Sequence, residues 1–199
     1  MNEPERLVLA SQSASRQAML QAAGVAFEAI PAPIDEGAIK QALLGTPAAE
    51  IARQLALAKA AAVSETRPLS LVLGSDSLAV VDGRIYDKPR NRDEAASHLR
   101  QFSGATMQLH SAAALVQGGA LVWSHADVAQ LRFRALSDDF IESYLCDEWP
   151  AVAACVGVFR IEGRGIQLFE QIEGSHFTIL GMPLLPLLAA LREQEIIAR

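Results

Sequence analysis

Serines and an arginine crowd the short segment Leu9–Arg16, whose sequence is LASQSASR. The apolar residues before it predict a strand and the residues after it predict a helix, so the segment forms the turn between them. Serine hydroxyls, the unpaired N–H groups of a first helical turn and a guanidinium are donors that suit phosphate oxygens. A single serine cap beside a solvated arginine explains the same composition. The candidate phosphate-binding residues are Ser11, Ser13, Ser15 and Arg16.

Carboxylates occur at two places where metal or water chemistry is conceivable. Asp76 follows the apolar residues Leu71–Leu73 and belongs to the sequence GSDS. We expect it at the carboxyl end of a buried strand, where open α/β sheets bind ligands and where it can hold a metal or deprotonate water. The alternative is a turn aspartate that caps its own backbone. Asp35 and Glu36 lie in a predicted loop, where they either bind Mg²⁺ or are solvated.

Two lysines complete the set of candidate residues. Lys59 lies on a predicted helix and Lys88 precedes a proline, and each is either a phosphate contact or an ordinary surface lysine. Together the candidates supply donors for phosphate oxygens, hard carboxylates for Mg²⁺ and an aspartate for water. Phosphoryl chemistry needs mainly positioning and charge neutralisation. The combination predicts a magnesium-dependent hydrolase of a phosphate ester or anhydride.

Alternating strands and helices must position these residues. Residues 71–89 predict a buried strand, a polar break and a second apolar run that turns back at Asp82-Gly83. Helices are predicted after Thr46-Pro47, after an Asn91–Glu94 capping box and after Ser137. Hydrophobic periodicity predicts further strands at 6–10, 108–116, 121–133, 155–161 and 166–169, and helices at 14–23 and 183–191. We therefore predict one domain over residues 1–199, of mixed α/β class, with helices on the faces of a twisted mixed sheet.

The composition is that of a folded globular chain. Hydrophobic residues make up 51% and charged residues 20% of the sequence, which argues against disorder. The net charge of -6 argues against nucleic-acid binding, which usually relies on a basic surface. No apolar run approaches the roughly 18 residues of a membrane helix, and the first residues lack a signal-peptide pattern. We expect a cytoplasmic protein that binds no membrane and keeps Cys146 and Cys155 reduced.

Several common catalytic motifs are missing from the sequence. There is no GxxxxGK[ST] phosphate loop, no GxSxG nucleophile elbow, and no histidine spacing that suits zinc. Gly163-Arg164-Gly165 lacks the third glycine and the following helix of a dinucleotide fingerprint. These absences argue against hydride transfer, serine hydrolysis and zinc catalysis.

The order of the motifs resembles the Maf family of nucleotide pyrophosphatases over nearly the whole chain. The matching segments are LASQSASR, Asp35-Glu36, Lys59 within LALAKA, GSDS through Lys88-Pro89, Phe102-Ser103-Gly104, and EGRGIQLFEQIEG running on to Gly181-Met182-Pro183. The resemblance implies a fold similar to that of inosine triphosphate pyrophosphatases, with helices and a mixed sheet around a central cleft, and commonly a homodimer. It also implies hydrolysis of a nucleoside triphosphate to the monophosphate and pyrophosphate with a divalent metal, Mg²⁺ or Mn²⁺.

The same resemblance implies a role for each candidate residue. Asp76 becomes the general base and, with Glu36, a metal ligand. The phosphate-binding residues become Ser11, Ser13, Arg16, Lys59 and Lys88.

Base selection is implied at Ser15, Ser77 and Glu162, where this chain departs from the thymidine and uridine triphosphate branch. That branch has glutamine in place of Glu162, whereas the glutamate resembles the branch that acts on 7-methylguanosine triphosphate. A carboxylate can accept the two edge N–H groups of guanine. Ser15 and Ser77 stand where the second branch tends to have tryptophan and glutamine. The alternatives are a pyrophosphatase of the dTTP/UTP type, a nucleotide-binding regulator linked to cell division with little catalysis, and a metal-dependent phosphomonoesterase.

Overall fold

The computed structural model describes residues 7–198, which form one sheet with helices between its strands. The strands are β1 (Leu7–Leu9), β2 (Phe27–Ala29), β3 (Val72–Val81), β4 (Arg84–Tyr86), β5 (Thr106–Gln117), β6 (Ala120–Phe133) and β7 (Phe169–Glu173). The helices are α1 (Ala14–Ala22), α2 (Glu36–Ala42), α3 (Ala48–Ser64), α4 (Arg92–Phe102), α5 (Asp138–Glu148), α6 (His176–Ile179) and α7 (Leu184–Glu193). Short 3₁₀ helices span Ala151–Ala154 and Arg164–Leu168.

The sheet is mixed, as predicted. Its strand order is β2-β1-β3-β5-β6-β7, with β4 paired to β3. Strand β1 runs parallel to both β2 and β3, whereas β3 pairs with β4 and β6 pairs with β7 in antiparallel fashion. The mixed α/β class expected from the sequence is therefore confirmed. No helix within residues 7–198 is both long enough and apolar enough to cross a membrane.

Residues 7–198 divide into two compact units, with boundaries within β3, β5 and β6 and between Ser175 and His176. Of these residues, the first unit contains Leu7–Ser77, Ser111–Asp127 and His176–Ala198. The second contains Leu78–His110 and Val128–Ser175. The prediction of one domain over the whole chain stays a prediction.

In the first unit, helix α3 packs so closely against β3 that no side chain separates their backbones at Gly74. A Cβ atom on Gly74 would lie 2.0 Å from the carbonyl oxygen of Ala56 and 2.7 Å from the backbone nitrogen of Ala60, so only glycine fits. The sequence pattern predicts Ala58 and Ala62 on the packed face of α3, but both are only half-buried. The buried face of α3 is instead formed by Ile51, Ala52, Leu55, Ala56, Lys59, Ala60, Val63 and Ser64. A lysine therefore lies on the helix face that meets the sheet.

Several local signals in the sequence are confirmed in the second unit. Asp82 and Gly83 both have positive φ, of 49° and 76°, as a two-residue hairpin turn requires. The side chain of Asn91 accepts the backbone N–H of Glu94 at 2.8 Å and caps α4. The hydroxyl of Ser137 accepts the N–H of Phe140 at 3.2 Å and caps α5 in the same way.

Strand β3 corrects the prediction of a polar break after Leu73. The strand is continuous from Val72 to Val81 and passes through the GSDS sequence. Its polar side chains are satisfied by partners distant in sequence: Ser75 and Ser77 donate to the carbonyl of Gly181 at 3.1 Å each. Polar residues can remain in a buried strand when they are hydrogen-bonded. The predicted side-chain cap at Thr46 is also wrong, because α3 begins after Pro47 without a side-chain cap.

The segment between α5 and β7 also differs from the prediction. Residues 155–161 form turns rather than a strand, and Ile166 lies in a 3₁₀ helix. The chain folds closely on itself here, since a Cβ atom on Gly165 would lie 2.4 Å from the carbonyl oxygen of Arg160. Val158 has a φ of 58°, a conformation that β-branched residues rarely adopt. Hydrophobic periodicity missed this compact loop, as it missed β2, α2 and α6, because each is short or half-exposed.

The close contact between α3 and β3 predicts a strong effect of Gly74→Ala. The added methyl group would meet backbone atoms, which cannot rotate away, so we expect the free energy of unfolding to fall by about 3 kcal/mol. Urea denaturation followed by circular dichroism measures this change. Gly37→Ala is the matched control, because a Cβ atom there would meet only the flexible side chain of Asp35, at 3.3 Å. Equal stability of both variants would contradict the packing described here.

Candidate functional site

A lysine shared by two carboxylates forms the centre of the site in the first unit. The ammonium nitrogen of Lys59 lies 2.5 Å from Oδ1 of Asp76 and 2.8 Å from Oε1 of Glu36. Lys59 and Asp76 are buried, with 8% and 5% of their surface exposed, whereas 45% of the Glu36 side chain is exposed. The contact of α3 with Gly74 explains this placement, because Lys59 precedes Ala60 and Asp76 follows Gly74 by two residues.

The structure corrects the expected setting of all three residues. Asp76 lies in the middle of β3 rather than at the carboxyl end of a strand. Asp35 and Glu36 do not lie in a loop: Asp35 caps α2 by accepting the N–H of Ala38 at 2.9 Å, and Glu36 is the first residue of that helix. Lys59 is buried and ion-paired rather than solvated. A buried Lys and Asp require each other, because burying one charge without a partner is costly.

The serine-rich turn uses two of its hydroxyls locally. The Ser13 hydroxyl caps α1 by accepting the backbone N–H of Arg16 at 3.5 Å. The Ser11 hydroxyl accepts the N–H of Ser13 at 3.1 Å and Nη1 of Arg16 at 3.4 Å. The capping role considered for the turn is therefore real, but the arginine is buried rather than solvated.

Arg16 belongs to the same charged cluster as Lys59. Its Nε donates to the carbonyl oxygen of Gly181 at 3.0 Å and its Nη2 donates to Oγ of Ser77 at 3.2 Å. Burial lowers the pKa of the Arg16 guanidinium, while the charges of Asp76 and Glu36 act in the opposite direction. An arginine remains protonated in proteins. The cluster thus contains two cations and two carboxylates.

The two serines assigned to base selection in this unit both contact the segment before α7. Ser15 donates to the carbonyl of Leu180 at 2.8 Å, and Ser77 donates to that of Gly181 at 3.1 Å. Ser111 and Thr178 extend this network, and sequence reasoning did not identify either of them. The sequence did point to the segment before α7, because Gly181 belongs to a motif that matches a known family. Nothing in the alternating pattern of β5 distinguishes Ser111 from its neighbours.

The two remaining candidates lie in the second unit. Lys88 and Glu162 are exposed and share an electrostatic neighbourhood with Cys155. Burial raises the pKa of the Cys155 thiol, Glu162 raises it further and Lys88 lowers it. The loop that carries Glu162 is held by Arg160, which donates to Oε2 of the buried Glu148 at 2.8 and 3.1 Å.

The donor set of the site fits a hard cation that takes most of its ligands from outside the protein. Within residues 7–198 no three or more His, Cys, Asp or Glu side chains gather to hold a metal ion. Mg²⁺ usually takes one or two protein carboxylates and obtains its other ligands from phosphates and water. Glu36 and Asp76, which both contact the ammonium of Lys59, provide two carboxylates at one place. The residues therefore fit Mg²⁺ or Mn²⁺.

Comparison with known proteins places these residues in a family. A family model described as "Maf-like protein" matches residues 6–194. The chain belongs to the Maf family. Among its Maf relatives, a protein of Nitrobacter hamburgensis named nucleoside triphosphate pyrophosphatase is 48% identical and aligns over 98% of this chain and 97% of its own length. A protein of Rhizobium meliloti named 7-methyl-GTP pyrophosphatase is 48% identical over 94% of this chain and 95% of its own.

A solved structure was also found for part of the Maf chain. It is a nucleoside-triphosphatase, dITP/XTP pyrophosphatase, of Mycobacterium abscessus, with 21% identity and a TM-score of 0.38. The match covers 64% of this chain and 72% of that one. The resemblance recognised from the motif order is confirmed by the family model and by the relatives of similar length.

The shared lysine predicts a large stability effect of Lys59→Met. Without the ammonium, the buried Asp76 carboxylate loses its counter-charge, so we expect a loss of about 3 kcal/mol in the free energy of unfolding. Adding Asp76→Asn to this variant should restore part of the loss, because the unpaired charge is then removed. Urea denaturation of the single and double variants measures the coupling. Arg53→Met on the same helix, which breaks an exposed pair with Glu50, should cost about 1 kcal/mol or less.

Proposed function

We propose that this chain is a nucleoside triphosphate pyrophosphatase, which converts a nucleoside triphosphate and water to the monophosphate and pyrophosphate. The buried Asp76, held by Lys59 beside Glu36 and near Arg16, is the observation that carries the proposal. Membership of the Maf family supports it, because relatives 48% identical over almost their whole length are named for this activity.

Asp76 is the general base in this mechanism. Its carboxylate accepts a proton from a water molecule, whose oxygen attacks the α-phosphorus of the substrate. The bond between the α-phosphorus and the bridging oxygen breaks, and pyrophosphate leaves with the bond electrons. The proton on Asp76 then passes to solvent. Lys59 holds the Asp76 side chain in place, with its ammonium nitrogen 2.5 Å from Oδ1.

The cations of the first unit bind the phosphate chain. Arg16 presents a guanidinium at the start of α1, where the helix N-terminus also favours an anion. Ser11 and Ser13 orient this turn through their hydrogen bonds, and we assign both to the binding of the phosphates. Lys59 neutralises charge here, and we assign the same role to Lys88, which the second unit carries.

We assign a divalent cation, Mg²⁺ or Mn²⁺, to Glu36 and Asp76. When bound, it supplies Lewis acidity and positive charge at the phosphoryl oxygens. Lys59 contacts the same two carboxylates and holds them beside each other.

We propose 7-methylguanosine triphosphate as the preferred kind of substrate. Glu162 is exposed on a loop held by the Glu148–Arg160 pair, and its carboxylate can accept the two edge N–H groups of guanine. The Rhizobium meliloti relative is named for this nucleotide. Ser15 and Ser77 are further candidates for base selection. A preference for dTTP and UTP is the alternative within the same reaction.

We further propose that the chain works as a homodimer in the cytoplasm and that residues 1–199 form one functional domain. Family resemblance supports the dimer. Light scattering coupled to size-exclusion chromatography measures the mass, to be compared with 21.3 kDa for one chain.

Asp76→Asn is expected to reduce kcat by about 10³-fold, because general-base catalysis contributes about 10²–10⁴ and the variant also loses a metal ligand. Nucleotide binding should persist, since Arg16 and Lys59 remain. A coupled assay for pyrophosphate measures turnover and isothermal titration measures binding. Asp82→Asn, in an exposed hairpin turn, is the control and should behave as wild type. Wild-type turnover of a folded Asp76→Asn protein would exclude a catalytic role for this residue.

A substrate panel tests the reaction and the base preference together. The panel contains 7-methylguanosine triphosphate, GTP, UTP and dTTP with Mg²⁺, and scores pyrophosphate and orthophosphate separately. We expect pyrophosphate from 7-methylguanosine triphosphate, and a shift of at least about tenfold toward UTP and dTTP in Glu162→Gln, since glutamine presents both a donor and an acceptor. Glu65→Gln at an exposed position controls for charge. Orthophosphate alone would indicate a phosphomonoesterase, and binding without any product would indicate the regulator.

A further inference from the structure

Hydroxyl groups from three elements converge on one short segment before α7. We define this segment, Thr178–Gly181, as the carbonyl strap. Ser15 donates to the carbonyl of Leu180, Ser75 and Ser77 donate to that of Gly181, and Ser111 donates to that of Thr178 at 2.8 Å. These donors lie on α1, β3 and β5. These four hydroxyl groups therefore hold the strap through its backbone carbonyls.

Arg16 is held by the same strap. The Gly181 carbonyl accepts Nε of Arg16 at 3.0 Å, and Ser77 accepts Nη2 at 3.2 Å. Gly181 has a φ of 105°, and a Cβ atom there would lie 3.2 Å from Oγ of Ser77 and 3.7 Å from Nε of Arg16. The Gly181 carbonyl and the Ser77 hydroxyl thus each accept one nitrogen of the Arg16 guanidinium. Because both acceptors are held by other hydrogen bonds, they determine the plane of the guanidinium.

The hydroxyl of Ser77 has little capacity left for a base. It lies within hydrogen-bonding distance of the Gly181 carbonyl at 3.1 Å, Nη2 of Arg16 at 3.2 Å and Oγ of Ser111 at 2.9 Å. A serine hydroxyl has one proton. Because Ser111 donates its own proton to the Thr178 carbonyl, the proton of Ser77 goes either to the Gly181 carbonyl or to Oγ of Ser111. A hydrogen bond donated by Ser77 to a nucleobase would have to replace that bond.

The network continues away from the charged cluster. Ser111 is fully buried and donates to the Thr178 carbonyl. The hydroxyl of Thr178, also fully buried, donates to Oδ2 of Asp127 on β6 at 2.6 Å. A chain of polar contacts therefore connects Arg16 through Ser77, Ser111 and Thr178 to a carboxylate on another strand. Such a chain restricts rotation of each member.

We propose that Ser77 and Ser111 are positioning residues that orient the guanidinium of Arg16 toward the phosphate chain. Ser77 acts through Arg16 and the Gly181 carbonyl and does not read the base. This inference rests on the proposed function, because it assumes that Arg16 binds the phosphates of the substrate. It reassigns Ser77, which family resemblance associates with base selection.

Inorganic triphosphate separates the two roles, because it carries the phosphates without a base. The experiment compares Ser77→Ala, Ser77→Thr and Ser111→Ala with wild type. It measures kcat and KM for 7-methylguanosine triphosphate and UTP, and the inhibition constant of inorganic triphosphate. Ser97→Ala, an exposed serine on α4, is the control variant.

We expect Ser77→Ala to raise KM and the inhibition constant together by about tenfold, because a hydrogen bond that orients a charged group is lost. Ser111→Ala should raise both by about threefold, since it acts one step further away. The ratio of kcat/KM between the two nucleotides should stay within about twofold of wild type in every variant. Ser77→Thr keeps the hydroxyl and should restore both constants to within about twofold.

A changed nucleotide ratio with an unchanged inhibition constant would show that Ser77 reads the base and would overturn the proposal. Unchanged constants in both alanine variants would overturn it as well. If wild type releases no pyrophosphate, the proposed function fails instead. The dissociation constant of inorganic triphosphate, measured by titration calorimetry, then still tests whether Ser77 orients Arg16, because a tenfold weaker constant in Ser77→Ala supports the role and an equal constant rejects it.

Discussion

The backbone contact between α3 and β3 is the constraint on which the candidate site depends. At Gly74 the helix approaches the strand more closely than any side chain would allow. This approach brings Lys59 of the helix to Asp76 of the strand within 2.5 Å. Neither charge is tolerable alone at such burial, so packing and ion pairing stabilise the same arrangement. A glycine without a functional side chain therefore determines where the charged residues of the candidate site meet.

Electrostatics at the site are balanced before any substrate is bound. Arg16 and Lys59 carry positive charge, and Asp76 and Glu36 carry negative charge. Burial opposes the charge on Arg16, and the carboxylates offset part of that cost. A triphosphate adds several negative charges to a cluster that is already neutral. Additional positive charge is needed to bind it, which gives a physical reason for a divalent cation in the proposed reaction.

In the second unit, Glu162 lies exposed on a loop that is held by a small number of contacts. The loop has little regular structure, so its shape comes from a few fixed points. Arg160 is bound by the buried Glu148, the hydroxyl of Tyr144 donates to the Val158 carbonyl at 3.0 Å, and Gly165 allows the chain to contact itself. The Glu162 carboxylate is therefore exposed on a loop whose backbone is held at several points.

The sequence by itself determined the class of fold, the family and most of the charged residues of the site. Long periodic helices, capping residues such as Asn91 and Ser137, and the Asp82-Gly83 turn are local signals, and the structure confirms them. Only the tertiary structure decided which groups the charged residues of the site contact. Arg16 and Gly181 are 165 residues apart, and Asp76 within β3 is paired with Lys59 on α3. Local periodicity reports which face of an element is apolar, but it cannot report which distant group satisfies a buried charge or hydroxyl.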